Sequence, residues 1–331
     1  SKEWAVCLVC NMESQHPSDW YTPKPVLEKV KVQSNWGLTL FSVLVFALSF
    51  LYIFSDELDF VFYLILVLFL HEMGHYLLMK QFNYEGLRML FIPLMGAFVQ
   101  GSKKQYSQKE SFLVIAAGPF PGVFFGLIVL FLAQRYQQVW LLELSFLFLF
   151  LNVLNLLPID PLDGGQLFKL FVRQKRDLFL LVFALLSSLL MITVGYLIDS
   201  WILLAFGFLM SFKVRSFQRN YHLRQELDRQ GLDYELNYDD LSDQHYHALK
   251  QVVLDQNPKL RQLENLHGEA SKEIQEVIAS HVNAVLSVPI ERDASRRFKI
   301  LLVCLWLLLV LLPVFLLIGP FFDFTWYFET L

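Results

Sequence analysis

Apolar residues in this chain come in long blocks instead of alternating with polar ones. Runs at 37–55, 60–79, 111–133, 139–157, 178–198 and 298–318 approach the roughly 20 residues a helix needs to cross about 30 Å of hydrocarbon. A shorter run, 201–213 ("WILLAFGFLMSFK"), completes a prediction of seven spans. The pattern changes in two places. Between 80 and 110 the stretch "LRMLFIPLMGAFVQG" is apolar but interrupted by Pro93, Gly96 and Gly101. It reads as a short re-entrant β-hairpin at the membrane edge, with irregular backbone that must be covered by protein or line a cavity. Residues 214–297 are polar and predict helices. One covers 241–256, capped by Asp239 and Asp240 and stopped before Pro258. Another covers 273–287, where Ile274, Val277, Ile278, Val282 and Val285 form a stripe that also holds His281. The predicted fold is an all-α polytopic membrane protein of about seven transmembrane helices, with the hairpin and a helical cytoplasmic insertion.

Charge orients this arrangement. With residues 1–36 in the cytoplasm, the segments 80–110, 158–177 and 214–297 fall on the same side. Of the 27 Lys and Arg residues only Arg135 is then left outside, as the positive-inside rule expects. Without the short span, Lys213, Arg215, Arg219, Arg296 and Arg297 would be stranded on the other face. The predicted organisation is a cytoplasmic segment 1–36, a transmembrane core 37–213, a helical cytoplasmic domain 214–297, and a final span with a short outer tail, 298–331. Hydrophobic residues make up 55% of the chain and charged residues 18%, which excludes an ordinary soluble protein. A net charge of −4 provides no basic footprint for nucleic acid. The first 35 residues lack a charged-then-apolar leader pattern, so membrane entry is expected from the internal spans. The three cysteines, Cys7, Cys10 and Cys304, build no disulfide framework.

One apolar run carries chemistry. "VLFLHEMGHYLLMK" (67–80) holds His71, Glu72 and His75. On a helix, residues four apart share a face, so both imidazoles can reach one metal ion. Glu72 lies beside the first histidine, where a carboxylate can hold and deprotonate a metal-activated water. In a soluble helix two hydrogen-bonded histidines would be an ordinary finding, but titratable groups at membrane depth are costly unless they work. A catalytic zinc needs a third protein ligand. The stretch "LNVLNLLPIDPLDGGQLF" (151–168) offers one, because Pro158 and Pro161 break the helix and Asp163 heads a new one. The second and fourth spans both run toward the cytoplasm, so His75 and Asp163 should arrive at similar depth. Within the same stretch Asp160 could accept from a histidine N–H, but it reads better as an exposed turn residue. Elsewhere, Cys7 and Cys10 with His16 lack a second pair for a zinc knuckle, and His245 and His247 point to different helix faces. Cys304 reads as a small packed hydrophobe. Glu143, inside the phenylalanine-rich run 141–151, is expected near the outer end of its span.

The pairing of H-E-x-x-H in one span with N-x-x-P-x-x-P-L-D-G at the end of a later one resembles the site-2 protease family of intramembrane zinc metalloproteases. The matching residues are His71, Glu72 and His75, then Asn155, Pro158, Pro161, Leu162, Asp163 and Gly164. "AAGPFPG" (116–122) is similar to a family segment in the third span, with Gly122 where an asparagine is frequent. The likeness covers roughly residues 60–170 and shows no recognisable PDZ insertion. It implies Zn2+ held by His71, His75 and Asp163, Glu72 as general base, and Asn155 in contact with substrate or the oxyanion. It also implies that the edge containing Gly96, Ala97, Phe98 and Val99 pairs with an unwound substrate segment. The expected substrate is a single-span membrane protein, cut within or near its span close to the cytoplasmic face. A regulatory partner is expected at 214–297, and the bacterial plasma membrane is the expected location. The alternatives are a proteolytically silent relative that binds membrane proteins, and a metal transporter.

Overall fold

The computed structural model describes residues 21–27, 36–53, 58–93, 96–172, 176–267, 271–319, 322 and 325. Cys7, Cys10, His16 and most of the outer tail lie outside them. In chain order the elements are α1 (Trp36–Ile53), α2 (Leu58–Gln81), β1 (Glu85–Ile92), β2 (Gly96–Ser102), β3 (Tyr106–Ser107), α3 (Gln108–Ala116), α4 (Pro119–Tyr136), α5 (Val139–Asn155), α6 (Asp163–Phe171), α7 (Arg176–Leu197) and α8 (Trp201–Arg229). There follow α9 (Asp243–Gln256), α10 (Pro258–His267), α11 (Lys272–Val285), β4 (Ile290–Glu291) and α12 (Arg296–Ile318). They divide into two compact units, Lys31–Arg215 with Ile290–Leu331, and Ser1–Val30 with Ser216–Pro289.

Among the described residues, four helical stretches are long and apolar enough to cross a membrane: Leu58–Gln81, Gln108–Tyr136, Arg176–Leu197 and Arg296–Ile318. α1 and α5 are apolar but shorter. The run 201–213 is no helix of its own. It opens α8, which continues through a polar half to Arg229. Length and composition therefore support fewer than the seven expected spans. The third run is jointed, with α3 ending at Ala116 and α4 starting at Pro119. Outward-facing Leu301, Leu308, Leu311 and Phe315 on α12 form the apolar surface that lipid tolerates and water does not. Cys304 lies on the exposed surface of the same helix and is not packed as expected. The residues this helix buries are Leu302, Leu309 and Pro313.

β1 and β2 form an antiparallel hairpin in which Met89 faces Val99 and Phe91 faces Ala97. Its first strand packs on α1 and α2 through Phe46, Leu64, Leu68, Met89 and Phe91. α1 also occupies the outer edge of β1. Thr39 Oγ1 donates to Met89 O (2.8 Å) and the Phe91 N–H donates to Ser42 Oγ (3.1 Å). A second core joins α4, α5 and α12 through Val123, Leu130, Leu142, Leu149 and Leu309. A cavity of about 850 Å³ opens among α2, α5 and α12, lined by Asp59, Tyr63 and Glu143 besides apolar side chains. Glu143 thus shares its surroundings with two polar groups from the first turns of α2.

The second unit is a helical cluster around Leu227, Tyr246, Leu249, Val253, Ile278 and Val282. Two of its features differ from expectation. Asp239 and Asp240 lie in a 3-10 turn (Tyr238–Asp240), and Ser242 caps α9 by accepting from the His245 N–H (3.3 Å). Pro258 both stops α9 and starts α10, because proline at a first helical position gives up no needed amide. The chain before α1 is pinned to this cluster. Lys24 Nζ donates to the carbonyls of Tyr238 (2.7 Å), Asp239 (2.9 Å) and Leu241 (2.5 Å), and the Tyr238 hydroxyl donates to Pro25 O (2.8 Å).

Candidate metal centre

α2 presents His71, Glu72 and His75 within its last three turns, and all three are buried, at 4%, 6% and 9% exposure. Close packing brings other helices to them. At Gly74 a Cβ would run into the Ala117 carbonyl, and at Gly118 into the His75 imidazole. The joint between α3 and α4 therefore lies directly on the histidine face of α2. At Gly122 a Cβ would strike the Asn152 side chain, so the absence of the frequent asparagine at 122 makes room for one from α5.

Asp163 reaches the same place from the broken segment after α5. Gly164 and Gly165 press against the carbonyls of Leu156, Leu157 and Ile159, an approach that any side chain would block. The Trp306 indole N–H satisfies the Leu156 carbonyl (2.8 Å), one of those freed by the helix end. Asp163 Oδ2 lies 3.0 Å from His71 Nε2 and 3.2 Å from His75 Nε2. The two Nε2 atoms are 3.2 Å apart. Ligands at about 2.0–2.1 Å around one tetrahedral zinc would be separated by about 3.3 Å.

The outer nitrogens decide what these three atoms are. His75 Nδ1 is 2.8 Å from the Val114 carbonyl, which can only accept, so Nδ1 carries the proton. His71 Nδ1 is 2.8 Å from Asn152 Oδ1. The amide cannot be turned around, because Asn152 Nδ2 donates to Phe148 O (2.8 Å). With Nδ1 protonated, a neutral imidazole at either position aims its Nε2 lone pair inward, toward a carboxylate oxygen. Three such acceptors at this distance call for a cation between them, a proton or a metal ion, and their spacing fits zinc. Among the described residues His71, His75 and Asp163 form the one such group of potential metal ligands. His245, His247 and His281 belong to none.

Of the other expected site residues, Val99 has a contact at this centre. The Val99 amide faces the Glu72 carboxylate, which brings the outer edge of β2 to the site. Ala97, Phe98 and Gly96 continue that edge. Asn155 is the last residue of α5 and is half-buried. Its side chain makes no hydrogen bond among the described residues. Asn152, one turn earlier and fully buried, holds His71 instead. It went unnoticed in the sequence, although a second amide in the apolar run "FLNVLN" signals a partner at membrane depth. Asp160 is no exposed turn residue. It is 1% exposed and paired with Lys169 (2.6 Å) and Lys213 (3.0 Å), cations brought by α6 and α8.

The chain is similar to known proteins over part of its length. Residues 59–146 match the model of peptidase family M50. Stage IV sporulation protein FB of Bacillus subtilis is 28% identical over 183 residues, 50% of this chain and 62% of that protein. A zinc metalloprotease of Methanocaldococcus jannaschii is 30% identical over 112 residues, 32% of each chain. The chain thus spans less than two thirds of either curated relative. The solved site-2 protease from M. jannaschii aligns with a TM-score of 0.41 at 19% identity, covering 59% of this chain and 94% of that one. The family and the apolar helices together make this an integral membrane protein. Residues 59–146, which carry His71, Glu72 and His75, are thus similar to peptidase family M50, in keeping with the resemblance to the site-2 proteases.

Proposed function

We propose that this chain is an intramembrane zinc endopeptidase that cuts a membrane-anchored protein within or near its span, close to the cytoplasmic face. The observation that carries the reading is the convergence of two Nε2 lone pairs and a carboxylate oxygen, each histidine held in one tautomer by its outer nitrogen. His71, His75 and Asp163 would hold the ion. When bound, zinc supplies Lewis acidity to a water and to the scissile carbonyl. Glu72 takes the proton of the attacking water and returns it to the leaving amine. Asn155, at the open end of α5, offers an amide N–H to the developing oxyanion.

The substrate segment unwinds and pairs with the outer edge of β2 along Gly96, Ala97, Phe98 and Val99. Support comes from the hairpin itself: α1 already takes the β1 edge, and among the described residues no strand pairs with the other side of β2. The N-terminus and the helical cluster that includes residues 216–289 lie in the cytoplasm of a bacterial cell, where the cluster receives a regulatory partner.

Two variants test the reading. Asp163→Ala is expected to lose most of its zinc on purification, and zinc retained at the wild-type level would sink the three-ligand site. Glu72→Gln is expected to keep its zinc and to let one full-length single-span protein accumulate in cell membranes. If no membrane protein differs between Glu72→Gln and wild-type cells, the silent binding relative becomes the better account.

A further inference from the structure

The segment that delivers Asp163 has little backbone bonding of its own. Pro158 and Pro161 have no amide to donate, and the internal bonds are two short turns, Ile159 N–H to Leu157 O and Leu162 N–H to Ile159 O, both 2.8 Å. Asp160 stands in its middle, three residues before Asp163. Its Oδ1 accepts from Lys169 Nζ (2.6 Å), Lys213 Nζ (3.0 Å) and Gln166 Nε2 (3.3 Å). Its backbone N–H donates to Ser187 Oγ (3.1 Å). Four side chains from α6, α7 and α8 therefore grip one loop residue. Two lysines meet on this one carboxylate, and a buried ionic cluster is seldom a gain in stability over apolar packing.

We propose that Asp160 is a positioning residue: its clamp to Lys169, Lys213, Gln166 and Ser187 fixes the loop so that Asp163 meets His71 and His75. The inference rests on the metal site proposed above. Zinc affinity then depends on a network that touches neither the ion nor the substrate.

The test uses the full-length protein in detergent, with zinc affinity read by competition against a chromophoric chelator. Thermal midpoints are read on the metal-free form. Ser187→Ala, a mild change, is expected to weaken zinc binding a few-fold. Asp160→Asn is expected to weaken it about 10- to 100-fold, the range for partners that orient metal ligands. Asp160→Asn also takes the carboxylate away from two lysines and should lower the midpoint. Adding Lys169→Met and Lys213→Met to it removes that strain, so the triple variant should regain its midpoint while zinc affinity stays low. Wild-type affinity in the triple variant and in Ser187→Ala would overturn the proposal and leave the cluster a charge balance. A wild-type protein that binds no zinc would instead overturn the metal site itself.

Discussion

A neutral imidazole has one N–H and one lone pair, so whatever accepts from the first decides where the second points. In this protein the acceptors are Val114 O for His75 and Asn152 Oδ1 for His71. Replacing Asn152 with leucine frees His71 to change tautomer and leaves a buried N–H unpaired. Zinc affinity should fall about 10- to 100-fold, measured by chelator competition, and Asn152→Asp, which keeps an acceptor, should fall less. Gly118→Ala drives a methyl group into the His75 ring and should abolish stoichiometric zinc. A Gly118→Ala protein with full zinc would show that the joint between α3 and α4 yields. His71, His75 and Asp163 are legible in the sequence by spacing and by their cost in lipid. Asn152 and Asp160 are not, because their roles depend on which helices face them.

At the scale of elements, the hairpin has two unlike edges. Met89 O and Phe91 N–H point out of the ladder to α1. In antiparallel pairing the residues opposite share that orientation, so Ala97 and Val99 aim their backbone groups out of the β2 edge, and the Val99 amide faces Glu72. Proline at Ala97 or Val99 removes one outward donor without touching the inner ladder. Cleavage should drop about 2- to 10-fold, the worth of a hydrogen bond near 1 kcal/mol, with zinc content unchanged. Equal loss of both, or of neither, would count against strand pairing. The extended character of "GAFV" is readable from its residue types, whereas the choice of edge is not. It follows from two hydroxyls on α1, Thr39 and Ser42, which as sequence are unremarkable residues in an apolar run.

At the scale of the molecule, the helical cluster has its own pH limit. Burial, and then the nearby Asp243 carboxylate, push the Tyr238 phenol up to about 12. Its neutral form is favoured in the fold over the unfolded chain, so this contribution is complete below about pH 10. It is lost as pH rises from there toward 12. Far-UV unfolding curves of the whole protein should show the loss in wild type and a smaller one in Tyr238→Phe; equal curves would mean the phenol does not report on this unit. Apolar blocks, the break at Pro158 and Pro161, and the i, i+4 histidines are local properties, and the sequence by itself determined them: helices long enough for a bilayer, a hairpin, and three residues of metal-ligand type. Tertiary structure alone decided that Asp160 is buried among lysines. It also decided that two imidazoles and a carboxylate converge within 3.0–3.2 Å. The physical reason is the same in each case. Spacing along one helix fixes what shares a face, while the partner of that face is chosen by packing between segments up to 92 residues apart.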